Sequence, residues 1–204
     1  MIDYPKHYDE LVARFGREMV EPGGIVLLGS SHFEWFDTDK HLPHWRFVNR
    51  GIASDRIGIG DRGILHRLDV SVFDCRPAMV VLQNGANDLG ELWRTGEPPI
   101  EQIADVYEQV VARIVDGGID RLVLIGDLPT CGRFDGISPL APKLNEKIAA
   151  LAARQNVPFI DSYPLFEDGN GLLREELTTD GLHLNDAGYA IWAKQIAAYL
   201  PRTT

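Results

Sequence analysis

The sequence predicts one α/β domain in three layers, a five-stranded parallel sheet with helices on both faces, and three observations carry that prediction. Short branched-apolar runs at 24–28 (GIVLL), 78–83 (AMVVLQ) and 121–125 (RLVLI) have the composition of strands buried on both faces. Stretches of helical period separate them, and alternating strands and helices imply right-handed crossovers and a parallel sheet. The 204 residues suffice for one sizeable core and are few for two ordinary domains.

Each element follows in turn. Tyr8, Leu11, Val12, Phe15 and Val20 fall near a helical period and predict an amphipathic helix over 5–19, which Glu21-Pro22-Gly23-Gly24 breaks. Strand one occupies 25–28 and stops at Gly29-Ser30-Ser31. After an aromatic-rich segment, strand two runs over 46–49 and closes on Gly51. The spacing then predicts a helix over 55–68, weakened by Gly58, Gly60 and Gly63. Strand three ends in the turn Asn84-Gly85-Ala86-Asn87-Asp88, and a long helix over 100–115 starts at Pro99 and stops at Gly117-Gly118. Strand four at 121–125, a long loop over 127–139, an Ala- and Leu-rich helix over 141–155, a fifth strand at 157–160 and a last helix over 186–199 complete the chain. No internal repeat, low-complexity tract or linker interrupts it.

Composition removes several function classes. A formal net charge of -10 argues against nucleic acid, whose phosphates need clustered Lys and Arg, and offers no polybasic patch to an anionic membrane. The acidity reads as solubility. Cys75 and Cys131 stand far apart in no metal-ligand spacing and read as reduced thiols of an intracellular protein. The N-terminal stretch has no continuous apolar region, and no apolar run approaches the ~20 residues that span a bilayer, so a cytoplasmic location without membrane anchoring is expected. His41, His44 and His66 have no ligand spacing, and no dinucleotide or P-loop motif occurs, so neither metal nor cofactor is expected. The sequence leaves homo-oligomerisation open.

Ligands of open α/β sheets bind outside the carboxyl ends of the strands. With strand order 2-1-3-4-5, the loops after strands one, two and three lie side by side at the switch point. Acyl transfer needs a nucleophile, a base, a group that orients the base, and donors for the oxyanion. Ser31 supplies the hydroxyl, His183 the base and Asp180 the orienting carboxylate. The backbone N–H groups of Ser31 and Gly51 and the Asn87 amide are the expected donors, Gly51 because a side chain there would crowd the substrate carbonyl. Taken singly, Gly29-x-Ser31 is a turn, Asn87 and Asp88 are turn or capping residues, and Asp180 caps a turn. Their joint occurrence, in order and at strand ends, is the signal.

Those motifs carry a resemblance. GSS at 29–31, NRG at 49–51, GAND at 85–88 and DGLHLNDAGYAIW at 180–192 resemble the SGNH hydrolases, the superfamily that includes the GDSL esterases and lipases. The resemblance implies a flavodoxin-like sheet, Ser31 as nucleophile, Gly51 and Asn87 completing the oxyanion hole, His183 as base and Asp180 as its partner. Ser30 stands where the usual motif has Asp, a residue outside the triad, so the departure touches the surroundings of the site more than its chemistry. GSS is also similar to the platelet-activating-factor acetylhydrolase branch, a pointer to short acyl groups. The expected function is a serine esterase acting through an acyl-enzyme on small or short-chain esters, such as an O-acetylated sugar or a lysophospholipid. Its activity is expected to fall in acid, where His183 takes up a proton. Rival readings are an acyltransferase with the same site, a non-catalytic ligand-binding module, and a phosphate binder using the 29–31 loop. His32, Asp61, Asp88 and Asp127 are secondary candidates around the site. Phe33, Trp35, Phe36, Trp45 and Trp93 read first as core and second as an acyl or sugar-stacking wall.

Overall fold

The computed structural model describes residues 3–202. The strands β1 (Ile25–Gly29), β2 (Phe47–Gly51), β3 (Met79–Gln83), β4 (Leu122–Ile125) and β5 (Phe159–Ile160) form one sheet in the order β2-β1-β3-β4-β5. All pairings are parallel, and Gly29 at the end of β1 lies opposite Gly51 on one side and Gln83 on the other. The helices are α1 (Tyr4–Phe15), the short α2 (Ser31–Glu34) and α3 (Thr38–His41), α4 (Ala86–Thr95), α5 (Ile100–Asp116), α6 (Ala141–Arg154), the short α7 (Tyr163–Phe166) and α8 (Asp186–Ala197).

Successive strand residues point to opposite faces, and the two cores follow from that alternation. Val26, Leu28, Val80, Leu82, Leu122 and Leu124 enter the layer shared with α5 and α6. Ile25, Leu27, Met79, Val81, Val123 and Ile125 enter the layer shared with α8, where Trp192 is fully buried and stacks on Phe33 at 5.2 Å. Helix α1 begins at the Asp3 cap, which accepts the Lys6 N–H, and packs Tyr8 and Phe15 over Ile52.

Four expectations about the elements are corrected. The first helix ends at Phe15, not 19, where Gly16 caps it. Strand β2 runs on through Gly51, because that residue still pairs with Gly29. The helix expected over 55–68 is an irregular loop through Gly63, followed by a 3-10 turn (Ile64–Arg67) and a π turn (Asp69–Phe73). Gly58, Gly60 and Gly63 all have positive φ, which a helix cannot accommodate. Conversely, α4 occupies the stretch expected to remain a turn, so Asn87 and Asp88 sit in its first turn.

One buried residue fastens the carboxyl ends of the strands. Arg67 donates from Nη2 to the Gly29 carbonyl at 3.0 Å, from Nη1 to the Arg50 carbonyl at 2.9 Å, and from Nε to Asp55 Oδ2 at 2.8 Å. The Gly29 carbonyl, which also accepts the Ile52 N–H at 3.1 Å, gains a second donor, and the loop after β2 is fixed to the end of β1.

Candidate active site

Ser31 opens α2 directly after β1 and is buried. Its Oγ lies 3.0 Å from His183 Nε2, and His183 Nδ1 lies 2.9 Å from Asp180 Oδ2. An ionised carboxylate only accepts, so Nδ1 carries the ring hydrogen and Nε2 is free to accept the Ser31 hydroxyl proton. The 180–183 turn is held in place by its own acid. Asp180 Oδ1 accepts the N–H groups of Leu182 at 3.1 Å and His183 at 2.9 Å. Partial burial works to raise the Asp180 pKa, but those two N–H donors and the His183 ring outweigh it, and the carboxyl lies below its ordinary range. The half-exposed Trp35 ring rests on the imidazole with centroids 4.4 Å apart.

His32, next to the nucleophile, has a more definite place than that of an ordinary loop residue. It is buried, and its Nε2 lies 3.1 Å from the carbonyl of Leu182, the residue before His183. A carbonyl cannot donate, so Nε2 carries a hydrogen. Burial, reinforced by the nearby His183, pushes its pKa down to about 4. His32 thus ties the Ser31 turn to the His183 turn across 150 residues of sequence.

The oxyanion side departs from the expectation. The Gly51 N–H donates to Asn49 Oδ1 at 2.9 Å. Gly51 also lies beneath the backbone of α2, where a Cβ would come within 2.2 Å of the Glu34 nitrogen. Its glycine is required by helix–strand packing, and its N–H is engaged. Among the described residues the Ser54 N–H has no such partner. Ser54 has a φ of 66°, left-handed backbone that an L residue adopts at a cost of about 1–3 kcal/mol. Neighbouring bonds hold it there: Glu34 accepts the Ala53 N–H, Asp55 N–H returns to the Ile52 carbonyl at 3.0 Å, and Tyr4 Oη donates to Asp55 Oδ1 at 2.9 Å. Asn87 Nδ2 donates to the Asp55 carbonyl at 2.9 Å, which leaves its second amide hydrogen available. The 280 Å3 cavity beside these groups is lined by both Ser54 and Asn87, with Leu182 at its rim. Ser54 escapes sequence reading because a donor N–H leaves no side-chain mark; the small Ala53-Ser54 pair before Asp55 is the trace it leaves.

The remaining candidates divide. Asp88 and Asp127 are buried beneath the start of α4, and burial raises their pKa values to about 8 and about 7. Asp88 accepts the Ile57 N–H at 3.1 Å and so ties the first turn of α4 to the loop that carries Ser54, and Asp127 accepts Gln83 Nε2 at 2.7 Å at the end of β3, just before α4. Asp61 is exposed and pairs with Arg62 away from the site. Phe33 and Phe36 are core, Trp45 donates to the Pro201 carbonyl, and Trp35 and Trp93 are half-exposed beside the site. Among the described residues no group of three or more His, Cys, Asp or Glu could hold a metal ion, and no helix is long and apolar enough to cross a membrane. Both cysteines are free.

A parallel five-stranded sheet between two layers of helices, with Ser31, His183 and Asp180 in line at its carboxyl edge, defines the class, that of the three-layer α/β/α hydrolase folds. The GDSL-like lipase/acylhydrolase family model matches residues 35–191, most of the chain, and the protein belongs to that family. No curated protein matches the chain. Among solved structures, a Streptococcus pneumonia protein provisionally described as a platelet activating factor is similar at 23% identity and a TM-score of 0.84, over 97% of this chain and 94% of its own. A GDSL-like lipase of Bacteroides thetaiotaomicron aligns at 21% identity and 0.71, over 96% of both chains. An acetylxylan esterase of Geobacillus stearothermophilus aligns at 15% identity and 0.70, over 89% of this chain and 96% of its own. At these identities the likeness is one of fold.

Proposed function

We propose that the protein is a serine esterase that hydrolyses small or short-chain acyl esters. The observation that carries this is the unbroken chain from Ser31 Oγ to His183 Nε2 at 3.0 Å and from His183 Nδ1 to Asp180 Oδ2 at 2.9 Å. Ser31 Oγ attacks the ester carbonyl as its proton passes to His183 Nε2, and Asp180 stabilises the imidazolium so formed. The tetrahedral oxyanion is received by the Ser31 N–H, the Ser54 N–H and the second Asn87 amide hydrogen. Collapse of the intermediate expels the alcohol, which takes its proton from His183. Water, deprotonated by the same Nε2, then releases the acid from the acyl-enzyme. The acetylxylan esterase among the similar folds supports a small acyl group. The two free, buried cysteines support a reducing, cytoplasmic setting.

The test is hydrolysis of p-nitrophenyl acetate and longer acyl homologues by wild type and Ser31→Ala. The variant is expected to lose roughly four to six orders of magnitude in kcat with its melting temperature retained. Wild type inactive on every ester, or an equally active Ser31→Ala, would sink the proposal.

A further inference from the structure

We infer that the substrate carries an anionic group, carboxylate or phosphate, on the part that extends past its ester carbonyl, and that Arg56 and Arg94 receive it. The inference rests on the esterase reading above and adds a substrate class to it.

The cavity beside Ser54 and Asn87 encloses about 280 Å3, and Arg56 and Arg94 are the only charged side chains among the described residues that line it. Both ride on the elements that supply the oxyanion donors. Arg56 follows Ser54 by two positions in the same loop, and Arg94 lies in the last turn of α4, whose second residue is Asn87. The two guanidiniums share one carboxylate oxygen, with Arg56 Nη2 3.0 Å and Arg94 Nη2 2.6 Å from Glu91 Oε2. One anion between two cations orients both and leaves a net positive charge with further N–H donors unengaged. Guanidinium suits a planar or tetrahedral oxyanion because it presents paired donors in a rigid fork.

The sign runs against the rest of the molecule. A chain of net charge -10 repels anions at long range, so a cavity whose charged lining residues, among those described, are both cations, with one carboxylate shared between them, is a local reversal of that sign. The walls add a second preference. Tyr4, Trp93 and Phe134 line the same space, and Trp93 is 43% exposed, presenting an apolar surface for a ring. The volume lies near the lower end of small-molecule sites and suits a single sugar or aryl group.

The experiment measures kcat/KM on two matched pairs. 4-Acetoxybenzoate against methyl 4-acetoxybenzoate places the charge on the alcohol half; p-nitrophenyl hemisuccinate against p-nitrophenyl butyrate places it on the acyl half. The anionic-to-neutral ratio in each variant is divided by that of wild type, which cancels intrinsic reactivity. In at least one pair this quotient is expected to fall by up to about fivefold in Arg94→Gln, the range of partly exposed ion pairs. It falls further in Arg94→Glu, and the wild-type ratio fades from ~0.01 to ~1 M salt as screening shortens from ~30 to ~3 Å. The responding pair identifies which half of the ester occupies the cavity. Arg154→Gln, which removes a pair with Glu108 between α6 and α5 at a residue that does not line the cavity, leaves ratios and basal activity unchanged. Identical ratios for both pairs in wild type and Arg94→Glu overturn the inference while Ser31-dependent hydrolysis of p-nitrophenyl acetate keeps the esterase reading. If p-nitrophenyl acetate is not hydrolysed through Ser31, both fall together.

Discussion

The sheet has a cavity at each end. The larger, about 420 Å3, opens at the amino ends of β3 and β4 between Met79, Leu122 and Pro158, whereas the one at the carboxyl ends is about 280 Å3. Size ranks them in the wrong order for chemistry. No residue that lines either cavity is itself a buried polar group, so the difference lies in what stands behind each. At the other end, Ser31, His32, Arg50, Asp55, Gln83, Asn84, Asp88 and Asp127 are all buried at or just beyond strand ends. A buried polar group costs several kcal/mol unless it is hydrogen-bonded, so a cluster of them at one edge needs a reason. Several of their bonds fix the turns that carry Ser54 and His183: His32 lies against the Leu182 carbonyl, Asp55 accepts from Tyr4, Asp88 accepts the Ile57 N–H and Asn84 donates to the Asp55 carbonyl. Buried polarity locates function in this fold where cavity volume does not.

The most direct attack on that contrast compares one residue from each end. Asn87→Ala removes a proposed oxyanion donor and is expected to lower kcat about 10²- to 10³-fold with little change in KM, because that interaction would be made in the transition state. Arg121→Ala, at the rim of the larger cavity, is expected to leave kcat where it was. Steady-state kinetics on p-nitrophenyl acetate decide. Equal losses in the two variants would mean that the amino end of the sheet also matters to the reaction.

The same division explains what could be read from the sequence. The roles proposed for Ser31, Asp180 and His183 are side-chain roles, and a strand composition followed by a turn shows where Ser31 is displayed, while Asp180 and His183 lie in a turn just before α8. The apolar runs located the strands, whereas their order was a premise that the resemblance implied and the sheet bears out. Sequence reading selects Gly51 and passes over Ser54, because the expected donor is a backbone N–H whose direction depends on φ. A glycine after a strand suggests such a donor, yet this one is spent on packing beneath α2. Helix α4 was hidden for a related reason: Asn87, Asp88 and Gly90 favour turns over helix interiors, and tertiary packing of Leu89 into the core overrides them. His32 was legible as a histidine near the nucleophile, while its partner, a carbonyl 150 residues away, was not.

His32 offers a subtler comparison, since it acts on the catalytic turn without reaching the reacting atoms. His32→Leu fills the space but cannot donate to the Leu182 carbonyl, and a small displacement of His183 is expected to lower kcat roughly 10- to 100-fold. His32→Gln places an amide N–H near the position of the ring Nε2 and is expected to recover most of that loss. Equal loss in both variants, with melting temperatures unchanged, would assign the effect to ring packing instead of the hydrogen bond.

The buried acids give the catalytic end a pH signature of its own. Burial lifts the Asp88 pKa to about 8, against an ordinary carboxylate value near 4 in the unfolded chain. Between those values the folded state holds a proton that the unfolded state has lost, so stability falls as pH rises through the window and levels off above about pH 8. Asp127, raised to about 7, adds to the same slope. Asp88→Asn keeps an oxygen to accept the Ile57 N–H and removes one titration, so urea midpoints measured from pH 5 to 9 are expected to decline less steeply than in wild type. An unchanged slope would show that Asp88 does not hold its proton in the folded protein.

The smallest effect falls on the residue whose backbone matters most. Ser54→Gly keeps the N–H and relieves the left-handed strain at φ 66°, while adding backbone freedom to the unfolded chain. Those terms oppose each other, so the change in stability is expected to stay within about 1 kcal/mol, with kcat retained. Ser54→Val is the counterpart: a β-branched residue is a true outlier at positive φ, and it is expected to lower both the melting temperature and kcat by pulling the N–H out of position. If Ser54→Gly instead lost activity to the extent expected of Asn87→Ala, the Ser54 hydroxyl and not its N–H would be the group facing the oxyanion.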